Sequence, residues 1–177
     1  AERLNCLAST GTGVAHCPVS NMKRSSGVAS IPRMLELGVP TGLAVDGSAS
    51  NDGSNLLEEM RVAYLLHRLT WSQKAPSGYE ILKLATRGSA RILGRDELGQ
   101  IAVGMAADFF LVDMERTAMV GAQFDPASVL STVGLKGSVD YPAVDGRIVV
   151  RDGRLACVDD HRIVEQHKAV AKEQLNR

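Results

Sequence analysis

The stretch "LAVDGSASNDGSNLLEEM" (residues 43–60) passes from apolar residues through Asp46 into a run of small polar residues, and then into a helical pattern. The apolar residues before the aspartate do not alternate with polar ones, which is typical of a strand buried on both faces of a parallel sheet. The loop after it can turn sharply and present backbone N–H groups and short side chains. The stretch therefore indicates either a functional carboxylate at a strand end or an aspartate that caps a turn.

Strand and helix patterns alternate before this stretch. The segment "VAHCP" (residues 14–18) is a short apolar strand stopped by a proline. The polar "SNMKRSSG" (residues 20–27) is then predicted to be an irregular loop. The segment from Ser30 to Gly38 has the N-cap, the early proline and the terminal glycine of a helix.

Two longer helices follow the quoted stretch. Apolar residues recur at helical spacing from Leu56 to His67, directly after the candidate N-cap Asn55. The segment "SGYEILKLATRGSARILG" (residues 77–94) begins with a capping box and ends at a glycine. Residues 1–96 therefore follow the order of strand, loop and helix that builds parallel α/β units.

The pattern changes to short strands after residue 96. Asp-Gly turns separate these strands, and "DGR" occurs at residues 145–147 and again at 152–154. We expect a small β module over residues 97–158 and a polar helix within residues 159–177. Asp108 and Asp113 are expected to cap turns of the β module rather than to take part in chemistry.

Composition excludes some classes of function. The 177 residues carry 20 basic and 20 acidic side chains, so a net charge of zero argues against a nucleic acid polymer as partner. No apolar run reaches the roughly 18 to 20 residues that span a bilayer, and the start lacks the order of a signal peptide, so we expect no membrane partner and a cytoplasmic location. The three cysteines are expected to be reduced, buried thiols.

Four motifs together resemble one family. In order and spacing they are similar to the amidohydrolase superfamily, and most of all to its deaminase and chlorohydrolase branch, which includes 8-oxoguanine deaminases. The motifs are "TGTGVAHCPVSNMK" (10–23), "GVPTGLAVDGSASNDGSNLLEEMR" (38–61), "ATRGSARILGR" (85–95) and "LGQIAVGMAADFFLVD" (98–113).

The resemblance implies an α/β fold. The chain would be the C-terminal part of a metal-dependent (β/α)8 TIM barrel, with strands 7 and 8 and their helices in residues 1–96. Residues 97–158 would form part of a small β-sandwich-like module, and residues 159–177 a terminal helix. The quoted aspartate would then stand at the carboxyl end of strand 8, where the active sites of TIM barrels assemble.

The implied chemistry gives Asp46 two roles, as a metal ligand and as the catalytic group that moves a proton. A divalent metal, zinc or alternatively iron, would lower the pKa of a bound water, and the resulting hydroxide would attack a ring carbon that bears an amino group.

Five further residues near the two strand ends are candidates for binding the substrate. Each has an alternative: the histidine can be a satisfied core residue, and the others can form turns or cap a helix. The candidates are His16, Ser20, Asn21, Ser48 and Asn51. His67, in contrast, is expected to interact with the dipole at the C-terminus of its helix, and His161 and His167 to lie in a polar tail.

The family's metal site also uses histidines from barrel strands that this chain does not contain. We therefore expect the chain to be the C-terminal part of a larger enzyme, with the missing N-terminal half of the barrel as its partner and a strand edge left bare when that half is absent. The implied function is a metal-dependent deaminase of a purine-like or pterin-like heterocycle, with 8-oxoguanine as the best substrate. The alternatives are a triazine chlorohydrolase or N-alkylamine hydrolase, and a noncatalytic barrel remnant. A homodimer is expected from the general pairing of barrel enzymes.

Overall fold

The computed structural model describes residues 2–151, 154–156 and 158–176. The chain forms two compact units. The first contains the described residues up to Ala106 together with Met114–Lys136, and the second contains Ala107–Asp113 and the described residues from Gly137 onward. The domain limits expected at residues 96 and 158 concern the intact protein and stay a prediction.

The first unit combines two short strands with most of the helices. Its strands are Val14–His16 (β1) and Thr41–Leu43 (β2). Its helices are Glu2–Thr10 (α1), Pro18–Lys23 (α2), Ile31–Glu36 (α3), Leu56–Trp71 (α4), Gly78–Lys83 (α5), Ser89–Ile92 (α6) and Val129–Thr132 (α7), with a π-helical turn at Leu84–Gly88 and 3-10 turns at Ser72–Lys74 and Thr117–Met119.

The two strands of this unit run parallel, as the sequence predicts. Val14 pairs with Thr41, and His16 pairs with Leu43. The chain crosses from β1 to β2 through the helices α2 and α3, as a parallel pair requires. The carboxyl ends of both strands therefore lie side by side.

A single apolar core joins these elements. Ile31 of α3, Leu43 of β2, Ala63 of α4 and Ile81 of α5 are buried in it. Each fully buried isoleucine contributes roughly 1.5 to 3 kcal/mol relative to an exposed one. Helix α4 begins where the sequence predicts, because the Asn55 side chain accepts a hydrogen bond from the Leu57 N–H at 3.0 Å.

One polar group on the side of β2 that faces away from β1 has a partner, while the expectation of a strand edge left bare without the missing half of the barrel stays a prediction. Ala44 donates its N–H to the His16 carbonyl, so the carbonyl of Leu43 faces away from β1. The Ser89 hydroxyl donates to that carbonyl at 2.8 Å. A Cβ atom added at Gly42 would lie 2.7 Å from the Ser89 Cα, and one at Gly88 would overlap the Thr41 carbonyl oxygen. Because Gly42 and Gly88 have no side chains, the helical segment at residues 88–89 packs directly against β2.

Residues 18–23 are helical, so the prediction of an irregular loop over residues 20–27 is wrong for its first part. Pro18 occupies the first turn of α2, where its missing N–H costs nothing. The next N–H, of Val19, is bound by Glu59 at 3.1 Å. That acceptor comes from 40 residues away, so the local sequence gives no sign of it.

The second unit is mainly antiparallel β structure. Its strands are Phe109–Leu111 (β3), Tyr141–Val144 (β4), Arg147–Ile148 (β5), Val150–Arg151 (β6) and Arg154–Leu155 (β7), and its helix is Asp160–Leu175 (α8). The order β3–β4–β5 forms one sheet, and β6 pairs with β7. The helix α8 confirms the polar terminal helix.

The first Asp-Gly turn and Asp108 behave as predicted, while the turn-capping role of Asp113 stays a prediction. Asp145 and Gly146 both have positive φ, as in a type I′ hairpin turn. Asp108 accepts the Asp145 N–H at 2.7 Å, and Asp140 accepts the Asp113 N–H at the same distance. The second Asp-Gly pair lies outside the described residues.

Two of the three cysteines are described, and both are free thiols. Cys17 is half-buried, whereas Cys6 is exposed, so the expectation of burial is wrong for Cys6. Cys157 lies outside the described residues. Across the described part of the chain, no helix combines the length and the apolar character that a membrane crossing requires.

Candidate active site at the ends of the two parallel strands

Asp46 lies three residues beyond the end of β2, with an exposed side chain. Its φ of 64° is left-handed, a strained conformation that aspartate tolerates better than most residues. One carboxylate oxygen accepts the Ser20 hydroxyl at 2.5 Å, and the other accepts the Gly47 N–H at 2.8 Å. These hydrogen bonds, that of Ser20 first, lower the pKa of Asp46 below its ordinary value. The carboxylate is therefore ionised at neutral pH.

Ser20 connects the two strand ends. It lies in the first turn of α2, directly after β1, and is 1% exposed. Its hydroxyl reaches Asp46 across a sequence separation of 26 residues. The structure thus brings together two of the residues that the sequence selects, and it gives Ser20 a contact with the carboxylate.

Asn51 is buried in the loop behind Asp46. Its amide nitrogen donates to the Val45 carbonyl at 2.8 Å and to Glu59 at 2.5 Å. Its amide oxygen accepts the Gly53 N–H at 3.3 Å. These contacts give Asn51 the structural role that the sequence left open, while contact with a substrate stays a prediction.

Glu59 is a site residue that sequence reasoning missed. The residue is 0% exposed, and its carboxylate accepts hydrogen bonds from Val19 and Asn51. Burial raises the pKa of Glu59, and those two hydrogen bonds oppose that rise. The available signal was helical spacing, because Glu59 lies three residues after Leu56 and four before Ala63, on the buried face of α4.

His16 lies at the carboxyl end of β1 and contacts His67 of α4. Their Nε2 atoms are 3.1 Å apart, and their exposures are 2% and 0%. Neither Nδ1 atom has a hydrogen-bond partner among the described residues. Burial, and then the neighbouring His67, lowers the pKa of His16 to about 4. The contacts of His16 are those of a core residue, and its contact with substrate stays a prediction.

The structure gives His67 another role than the expected interaction with the dipole at the end of its helix. Its side chain is buried against β1, and burial lowers its pKa, which disfavours the charged form that the dipole would stabilise. The cause is tertiary: the position four residues after Ala63 faces the sheet, and His16 supplies a polar partner there.

The outer part of the site consists of exposed or half-exposed polar residues. Ser48 is exposed in the loop, and Asn21 is half-buried in α2. Lys23 of α2 forms an ion pair of 2.7 Å with Asp52 of the loop. The two segments that carry Asp46 and Ser20 are therefore linked at the surface as well as beneath it.

The residues present fit a metal as one ligand and not as a full set. The ionised Asp46 carboxylate has about four acceptor sites, so beside its hydrogen bonds from Ser20, Gly47 and Ser50 it can bind a cation. Within the described residues, no group of three or more His, Cys, Asp or Glu side chains could hold a metal ion. A structural or catalytic zinc needs at least three protein ligands, so Asp46 and the other described residues do not form such a site by themselves.

Comparison with known proteins finds a matching family model, similar curated proteins and similar solved structures. Residues 1–149 match the model of the amidohydrolase family. Hydroxydechloroatrazine ethylaminohydrolase of Pseudomonas sp. is 46% identical over 157 residues, covering 87% of this chain and 33% of that protein. The 8-oxoguanine deaminase of Pseudomonas aeruginosa is 39% identical over 171 residues, covering 97% and 38%.

A solved structure has the same fold as this chain. It is atrazine chlorohydrolase TrzN from Arthrobacter aurescens TC1 complexed with zinc, with a TM-score of 0.89 and 36% identity. The match covers 95% of this chain and 38% of that one. The chain thus spans between a third and two fifths of the length of these relatives.

Proposed function

Because the chain belongs to the amidohydrolase family, we propose that it is the C-terminal part of a metal-dependent hydrolase that removes an amino group from a nitrogen heterocycle. The observation that carries this proposal is the ionised Asp46 carboxylate, which Ser20 holds at the carboxyl end of a parallel strand. Carboxyl ends of parallel strands are where ligands bind in α/β proteins.

Asp46 has two tasks in this proposal. Its carboxylate would hold a divalent cation, zinc by analogy with the atrazine chlorohydrolase structure that is complexed with zinc, or alternatively iron. The same carboxylate would accept a proton from the attacking water and deliver it to the leaving amine. When bound, the cation makes that water acidic enough to lose its proton near neutral pH. The remaining ligands come from the N-terminal half of the barrel.

The residues around Asp46 fall into two groups, those that support its position and those that contact the substrate. The burial of His16, Ser20 and Asn51 favours a supporting role for these three. Of the residues predicted to bind substrate, Ser48 and Asn21 are the ones that we propose to contact the heterocycle, because they lie on the more open side of the site. The cytoplasmic location and the homodimer stay predictions.

Two classes of substrate are candidates for this site. A purine-like ring such as 8-oxoguanine is the expectation from the motifs, and the deaminase of P. aeruginosa matches 97% of the chain. An N-alkylamino triazine is the second candidate, favoured by the higher identity of 46% to an ethylaminohydrolase. Both reactions displace an amine from a ring carbon, so the same carboxylate serves either.

The test is an assay of the full-length protein that contains this chain. Zinc and iron are measured by elemental mass spectrometry, and ammonia or ethylamine release is measured from 8-oxoguanine and from an ethylamino-hydroxytriazine. We expect about one metal ion per protein and turnover of one of the two substrates. The variant Asp46→Asn should lose roughly 10²- to 10⁴-fold in kcat. A metal-free protein, or an Asp46→Asn variant with full activity, would contradict the proposal and favour a noncatalytic remnant.

A further inference from the structure

The buried carboxylate of Glu59 is the common acceptor of two segments of the site. One oxygen accepts the Val19 N–H at 3.1 Å, and the other accepts the Asn51 side-chain amide at 2.5 Å. Glu59 belongs to the first turns of α4, and the two donors belong to α2 and to the loop after β2. A carboxylate is suited to this place because it accepts at both oxygens and donates at neither when ionised.

Both donors lead to Asp46. Val19 is the residue before Ser20, whose hydroxyl binds one oxygen of Asp46. Asn51 also donates to the carbonyl of Val45, the residue before Asp46. The hydrogen bonds and the chain thus form a closed ring, with Glu59 on the buried side and Asp46 on the exposed side.

The ring matters because Asp46 needs restraint. Its side chain is exposed, and its backbone adopts a left-handed conformation that is unfavourable without external restraint. Ser20, Gly47 and Ser50 form hydrogen bonds with its carboxylate, and Asn51 holds the carbonyl of the residue before it. Of these four residues, Asn51 binds Glu59 directly, and Ser20 directly follows the residue whose N–H binds Glu59.

We propose that Glu59 is a positioning residue that fixes the orientation of Asp46 through Ser20 on one side and Asn51 on the other. This inference rests on the proposed function of Asp46. Glu59 itself touches neither the metal nor the substrate, and its effect is transmitted through the ring.

The variant that tests this is Glu59→Gln in the full-length protein. Glutamine has nearly the same shape, but its amide offers one acceptor oxygen and one NH₂ donor, so one of the two donors meets another donor. One side of the ring must therefore open while the packing volume is kept. Glu58→Gln is the matched control, because Glu58 is the neighbouring residue on the same helix and is exposed.

The first readout is the crystal structure of Glu59→Gln, which does not depend on activity. We expect either the 2.5 Å contact between Ser20 and Asp46 or the 2.8 Å contact between Asn51 and Val45 to be lost. If both contacts keep their lengths, Glu59 does not position Asp46 and the inference is overturned.

The second readout is kcat per bound metal ion, with KM and the melting temperature measured on the same samples. Residues that orient a ligand from behind typically contribute 10- to 100-fold. We expect a fall of that size in kcat for Glu59→Gln, with KM within about twofold and Glu58→Gln at the wild-type values. A purely structural role would lower the melting temperature and leave kcat per bound metal unchanged, which would overturn the inference. If the wild type shows no hydrolase activity, the proposed function fails, and the crystal structure still decides the role of Glu59.

Discussion

Two buried polar pairs join helix α4 to the ends of the two strands. His67 meets His16 at the end of β1, and Glu59 meets Asn51 in the loop after β2. The pairs differ in how completely their hydrogen bonds are satisfied. Glu59 has a partner for each of its oxygens. His16 and His67 share one hydrogen bond, and each keeps a buried Nδ1 atom without a partner among the described residues. In our proposal, Glu59 and Asn51, with their hydrogen bonds complete, fix the geometry of the site. The two histidines fill the core, and their burial makes the fold sensitive to acid.

The largest expected effect on stability comes from Glu59→Ala. The change leaves the Val19 N–H and the Asn51 amide without their acceptor, and each such loss costs roughly 1 to 3 kcal/mol. We expect the free energy of unfolding to fall by about 3 kcal/mol in a urea titration. Glu58→Ala, which truncates an exposed neighbour, should change it by less than about 0.5 kcal/mol. If Glu59→Ala and Glu58→Ala lowered the free energy of unfolding equally, the hydrogen bonds of Glu59 would stabilise the fold no more than an exposed side chain does.

Acid should act on the histidine pair. The pKa of His16 falls from 6.5 to about 4 on folding, so the unfolded chain binds more protons between these values, and stability is lost as the pH falls through that window. The loss amounts to about 3 kcal/mol by pH 4. The raised pKa of Glu59 has the opposite sign, because it favours the folded state as the pH falls.

Thermal unfolding between pH 7.5 and pH 4.5 checks this. Glu59→Gln should steepen the acid loss, because it removes the group that opposes it. His161→Gln, a change on an exposed helix, should leave the slope as it is. A flat profile in the wild type would show that the buried histidines are not neutral in the folded protein.

Replacing both members of each pair sharpens the comparison further. His16→Leu with His67→Leu removes both polar partners together, so it should cost less than about 1 kcal/mol and flatten the pH profile. Glu59→Leu with Asn51→Leu should cost more, because the Val19 N–H and the Val45 carbonyl lose their partners. Urea unfolding of the two double variants gives the difference directly.

The smallest effect is expected at the surface. Lys23→Ala breaks the ion pair with Asp52, whose side chains are 42% and 80% exposed. Exposed pairs contribute little and are screened by salt. The melting temperature should not change measurably, and the crystal structure should retain the Ser20–Asp46 contact. A clear drop would mean that the surface link, rather than Glu59, holds the loop.

Local patterns in the sequence predicted the parts of the site that local chemistry determines. Apolar strand, carboxylate and polar loop made Asp46 a candidate, and its role stays a prediction, whereas capping residues correctly gave the starts of α4 and α5. The parts that were missed depend on distant partners. Glu59 binds Val19 across a sequence separation of 40 residues, and His67 contacts His16 across 51. The residues next to Glu59 and His67 in the sequence therefore do not indicate these contacts.

The same limit explains the missed helix α2 and the misjudged Cys6. A six-residue helix has no periodicity to detect, and the acceptor of its Val19 N–H comes from α4. Cys6 has free space around it although its sequence neighbours are apolar, because α1 buries none of its residues fully. Helical pattern alone does not say which face of a helix finds a neighbour.

The close contact between β2 and the helical segment at residues 88–89 also bears on which mutations the protein tolerates. A Cβ atom at Gly42 would lie 2.7 Å from the Ser89 backbone, and one at Gly88 would overlap the Thr41 carbonyl oxygen. A single methyl group at either place would push the helical segment away from β2 and break the hydrogen bond from Ser89 to Leu43. Two absent side chains thus set the spacing between helix and strand, and an alanine at Gly42 or Gly88 should appear first as misfolded protein.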